Sequence, residues 1–102
     1  MIDRIPDRLT LAKDLGATHV IDSSALVSTL EDAVRNITDG QGSSLTIDTT
    51  GNISVIRSAL DMTAIRGRVI LLGMSRQSID IDITKFKLVC EISLHSPQRF
   101  QL

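Results

Sequence analysis

The stretch "GRVILLGM", Gly67 to Met74, constrains the fold more than any other part of the chain. Val69, Ile70, Leu71 and Leu72 are consecutive apolar residues, so an extended segment here is apolar on both faces. That is the condition of a parallel strand with helices packed above and below it. Its surroundings agree. "MID" at the start reads as the end of a buried strand, "THVID" (Thr18 to Asp22) as a short β-branched strand and "LTIDT" (Leu45 to Thr49) as a third. "LVCEISLH" (Leu88 to His95) reads as the last strand.

Helical patterns separate these strands. Pro6 suits a first helical turn, Leu9, Leu11, Ala12 and Leu15 make a helical stripe, and Gly16 sits where a left-handed residue ends a helix. Ser23-Ser24 opens a second helix over 25–37, with Leu26, Leu30, Ala33, Val34 and Ile37 at helical spacing. "TDGQGSS" is loop by its turn residues. Asn52 caps a third helix, Ile53 to Thr63, whose Val55, Ile56, Ala59, Leu60 and Met62 point mostly inward. "SIDIDIT" (Ser78 to Thr84) alternates polar and apolar residues, as an exposed strand or extended arm does. Connections this short between alternating strands and helices require right-handed crossovers, so the fold class is α/β with a doubly wound parallel sheet.

Composition excludes several functions. A chain of 102 residues is one small domain, and its 42% hydrophobic content argues against global disorder. The net charge of −1, without clustering of either sign, gives no electrostatic case for nucleic acid or an anionic membrane. No apolar run approaches the roughly 18 residues of a membrane span. The start lacks a signal peptide's apolar region, so a cytoplasmic setting is expected. Cys90 is the one cysteine, which rules out an internal disulfide; in "KLVCEI" it reads as a small core hydrophobe. His19 and His95 have nothing to pair them as metal ligands and read as structural or exposed.

Three stretches, "IDRIPDRLTLAKDLGATHVID", "ITDGQGSSLTIDTTGN" and "ALDMTAIRGRVILLGM", resemble consecutive parts of a medium-chain, zinc-type alcohol dehydrogenase. Aryl- or benzyl-alcohol and polyol dehydrogenases are the most similar in flavour, and the resemblance covers residues 2 to about 95. It implies a Rossmann-type dinucleotide-binding domain of which one part is lacking. The family's G-x-G-x-x-G turn, with the strand before it and the helix after it, is not found among the six glycines here. In the doubly wound order 3-2-1-4-5-6 that first strand is central. Without it, the strands at 1–3 and 18–22 either stand apart from the others across an apolar groove with unpaired edges, or pair with them directly. The expectation is therefore a fragment: a partial dinucleotide-binding domain over 1–95 and a C-terminal tail over 96–102. Carry-over beyond Ile92 fails, because "HSPQRF" departs from the family pattern.

The resemblance also implies cofactor contacts. Asp3 matches the acidic strand-end residue that accepts from the adenosine ribose hydroxyls, and its charge favours NAD over NADP. Arg4 follows where the family lays a side chain against adenine; its guanidinium could equally attract a 2′-phosphate, which leaves NADP open. Arg8 matches a basic residue reaching the adenosine end. Thr49, Thr50 and Gly51 match the turn lying along adenine and its ribose. Leu72, Gly73 and Met74 match the segment that meets the nicotinamide carboxamide, Gly73 permitting close approach of the ring. Read as plain residues, Asp3 is a solvated carboxylate, Arg8 an exposed helix charge, the Thr-Thr-Gly run a turn, and Leu72 a buried strand residue. The family's zinc ligands lie in a catalytic domain lacking here, so neither a catalytic residue nor a metal ligand is expected.

Three functions fit. The chain is part of an NAD-dependent alcohol dehydrogenase, inactive alone; the intact family transfers hydride between an alcohol and NAD, with zinc polarising the oxygen. It is an interaction module whose last strand pairs with a second copy or with a paralogue. Or it is a weak adenosine-nucleotide binder that takes AMP or ADP-ribose no more weakly than NAD.

Overall fold

Ile2–Asp3 forms a short strand, β1, paired in parallel with Ile21–Asp22, β2, in the register Ile2 to Ile21 and Asp3 to Asp22. Between them Pro6–Asp14 forms α1, with Pro6 in the first turn and Leu9 buried. Gly16, at φ +112°, reverses the chain, and its amide donates to the Lys13 carbonyl. The computed structural model describes residues 1–73, 78–80 and 91–94.

The second helix starts later than the sequence suggests. Asp22 accepts hydrogen bonds from the Ser24 amide (2.9 Å) and hydroxyl (2.5 Å), which makes a turn where a helix was expected to open. Local side-chain bonding of this kind competes with helix formation. Helix α2 is Leu30–Ile37, capped by Thr29, whose hydroxyl accepts from the Asp32 amide at 3.1 Å. Leu26 and Val27 fall outside it, and Val27 is fully exposed. Arg35 ties the end of α2 to its surroundings, donating to Glu31, to the Gly40 carbonyl and to the Asp61 carbonyl.

Strand β3 is Ser43–Asp48, and α3 is Ile53–Met62 with Asn52 as its cap, accepting from the Ser54 and Val55 amides. Strand β4 is Thr63–Leu71, so it begins before Gly67 and ends before Leu72. Thr63 anchors its start: the hydroxyl donates to the Ala59 carbonyl and meets the Thr46 hydroxyl at 2.8 Å. β5 is Glu91–Leu94, parallel to β4, which is in turn parallel to β3. The remainder of the expected arm and last strand, Cys90, His95 and the tail 96–102 lie outside the described residues.

The described strands form two sheets, β1-β2 and β3-β4-β5. The break falls where the doubly wound order places its first, central strand. Direct pairing of the two halves, one of the two outcomes expected, is not what the described strands do. The halves share a core nonetheless. Val34, Ala59, Met62 and Val69 form its buried centre, and Ile2 and Ile21 pack against it from the smaller sheet. Among the described residues, helices cover the larger sheet on one side. Thr46, Asp48 and Val69 are buried, whereas Leu45 and Ile47, on the other face of β3, are about half exposed at 49% and 52%. Leu11, Leu15 and Val55 are exposed too, contrary to the inward positions their spacing suggests. α1 rests on a pair of two-residue strands, too small a surface to bury a full helical stripe.

Candidate functional site

The predicted site residues gather at the C-terminal ends of strands, in two groups carried by separate sheets. At the end of β1, Asp3 turns its carboxylate back onto the chain. Its Oδ1 accepts from the Arg4 amide (2.6 Å) and the Ile5 amide (3.0 Å), and its Oδ2 lies 3.7 Å from Arg8 Nη1. The Ile5 amide contributes most to holding the Asp3 carboxyl below its usual range, with the Arg4 amide and Arg8 adding to it against some desolvation. Asp22, beside Asp3 across the register, is lowered as well, chiefly by the Ser24 hydroxyl and amide, with a smaller electrostatic contribution from Arg4. Asp3, Arg4 and Arg8 are thus brought together, with Asp22 a neighbour that the motif reading did not single out.

The second group follows β3 and β4. Thr50 and Gly51 turn sharply after β3, with Gly51 at φ +67°, a left-handed conformation that glycine adopts without strain. Gly73 lies against this turn. A Cβ built on Gly73 would fall 2.7 Å from Gly51 Cα, closer still to the Gly51 nitrogen, and 2.8 Å from the Thr50 carbonyl carbon. Gly73 therefore lacks a side chain because the backbone of a neighbouring turn occupies that space, whatever else approaches it. Leu72, read as a buried strand residue, is 41% exposed and just beyond β4, its amide donating to the Asp48 carbonyl at 2.9 Å. Thr49 is exposed at the end of β3. Met74 lies outside the described residues.

Asp48 is the residue the motif reading passed over. It is 4% exposed, yet every donor it needs is local: the Thr50 hydroxyl at 2.8 Å, the Thr50 amide at 3.3 Å and the Gly51 amide at 3.0 Å. An aspartate inside "LTIDT" was the available signal, because aspartate is depleted in strands and a buried carboxylate needs partners.

Among the described residues no group of three or more His, Cys, Asp or Glu could hold a metal ion. His19 is exposed, its ring beside the Thr18 hydroxyl.

The zinc-binding dehydrogenase profile matches residues 1–98. The chain belongs to the zinc-binding dehydrogenase family. It is 36% identical over 77 residues to L-threonine 3-dehydrogenase of Caldanaerobacter subterraneus subsp. tengcongensis, covering 76% of this chain and 22% of that protein. It is 37% identical over 79 residues to S-(hydroxymethyl)glutathione dehydrogenase of Aspergillus oryzae, covering 76% and 20% respectively. Benzyl alcohol dehydrogenase of Acinetobacter calcoaceticus superposes with a TM-score of 0.84 at 28% identity, over 98% of this chain and 29% of that one. The chain spans less than a third of each relative's length and resembles the NAD-binding part of zinc alcohol dehydrogenases. No described helix is long and apolar enough to cross a membrane.

Proposed function

We propose that the chain supplies the adenosine-binding portion of a nicotinamide-nucleotide site in a zinc-type alcohol dehydrogenase. The observation that carries this reading is the clustering of Asp3, Arg4 and Arg8 beside β1, with the Thr50–Gly51 turn at the end of β3. Asp3 orients the ribose hydroxyls through a carboxylate already fixed by two backbone amides, and Arg8 adds positive charge alongside. The Asp3 carboxylate repels a 2′-phosphate, which favours NAD, whereas the guanidinium of Arg4 beside it leaves NADP open. The cofactor, once bound, carries the hydride; these residues bind and orient its adenosine end.

Pyrophosphate contacts from a glycine-rich turn are not among the described residues, so AMP or ADP-ribose binds no more weakly than NAD. Calorimetric titration of the folded chain with each nucleotide tests this. Saturable binding with similar dissociation constants is expected; a large advantage for NAD, or no binding by a folded chain, overturns it. The chain alone oxidises no alcohol, and measured turnover with a stoichiometric zinc content would contradict that.

A second reading has one observation in its favour. β5 is the outer strand of its sheet among the described residues, the position from which it would pair with a second copy. A strict monomer in sedimentation rules this pairing out.

A further inference from the structure

Asp48 stands between the two turns of the second group. Its carboxylate takes the Thr50 hydroxyl and the Thr50 and Gly51 amides, while its own carbonyl takes the Leu72 amide. Gly51 is held in its left-handed conformation by that bond and lies directly against Gly73. A carboxylate 4% exposed is costly to bury, and it is kept here by donors that belong to the turn.

We propose that Asp48 is a positioning residue: it locks the turns after β3 and β4 into one rigid surface, on which the nucleotide rests. The proposal deepens the nucleotide reading and rests on it, but its geometric half stands separately. If Asp48 acts through Gly51, and Gly51 through Gly73, then disturbing either end of this chain of contacts must produce the same loss. Asparagine at position 48 keeps the size and one acceptor oxygen but turns an NH2 towards one of the donors, so the turn loosens without a cavity.

The test compares the parent chain with Asp48→Asn, Gly73→Ala and the double variant. ADP-ribose is the probe for binding, and backbone amide exchange reads Gly51, Leu72 and, as a core control, Val69. Expected for Asp48→Asn is faster exchange at Gly51 and Leu72, whose amides Asp48 accepts, unchanged exchange at Val69, and ADP-ribose binding weaker by about tenfold, the scale of one hydrogen bond to a charged group. Gly73→Ala is expected to weaken binding similarly, and the double variant no more than the worse single one, because both act through one turn. Thr50→Val, which removes only the hydroxyl, serves if Asp48→Asn fails to fold and should give a smaller loss in the same direction. Faster exchange at Gly51 with unchanged ADP-ribose affinity would make Asp48 merely structural and overturn the proposal. So would additive losses, or unaltered exchange at Leu72. If the parent chain itself does not bind ADP-ribose, the nucleotide reading and the claim of a nucleotide surface fall together. Exchange at Gly51 and Leu72 then still decides whether Asp48 joins the turns.

Discussion

At the scale of single residues, the electrostatics of β1 and β2 carry two predictions. Asp3 and Asp22 both have carboxyls held below their ordinary value, by backbone amides in one case and mainly by Ser24 in the other. A depressed pKa in the folded chain means that the ionised group favours folding. That contribution is fully present above the unfolded value of 3.8 and disappears as pH falls through the lower folded value. Acid unfolding followed by circular dichroism should therefore be shallower below pH ~4 in Asp3→Asn than in the parent, since one proton-linked group is gone. An unchanged acid limb would show that the Asp3 hydrogen bonds do not persist in solution. Asp22→Asn should flatten the same limb, because the Ser24 hydroxyl and amide hold its carboxyl low through the bonds at 2.5 and 2.9 Å. A limb that does not move would mean that the Ser24 bonds are lost in solution.

At the scale of elements, caps decide where helices begin. Thr29 starts α2 and Asn52 starts α3, so Thr29→Ala and Asn52→Ala should each cost about 1 kcal/mol in urea unfolding. Ile56→Ala on α3, where Ile56 is 3% exposed, should cost more, about 2–5 kcal/mol. A loss below that of the caps would place Ile56 outside the core. The same elements show how far the sequence could be read. α1 and α3 were legible because Pro6, Gly16 and Asn52 are strong local punctuation. α2 was extended too far towards its start, because Leu26 lies at helical spacing while the Asp22–Ser24 bonds that prevent a helix there are contacts between neighbours, invisible to periodicity. Thr29 followed by Asp32 was the signal passed over. Among the candidate site residues, Asp3, Arg8 and Gly51 are nominated by the family motif alone. The contact of Gly73 with Gly51 could not be read there, because it joins turns from different strands.

At the scale of the whole molecule, the central fact is a sheet in two parts. Helix α3 packs on one face of the larger sheet with α2 against it, and Leu45 and Ile47 on the other face are only half covered. β1 and β2 are two residues each, and unequal halves of this kind open with unequal free energies. Amide exchange should therefore be slowest at Val69 and Ile70 and much faster at Ile21 and Ser23, whose amides donate to Met1 and Asp3. Equal protection in both halves would mean that the two sheets unfold as one unit. The proposed adenosine site draws on both halves, Asp3 and Arg4 from one and Thr50 and Gly51 from the other. Titrating isotopically labelled chain with ADP-ribose, and following amide shifts by NMR, tests this most directly. The account predicts shifts at Arg4 and Ile5 and at Thr50 and Gly51 that saturate with one common dissociation constant. Shifts confined to one sheet, or none in a folded chain, would contradict it.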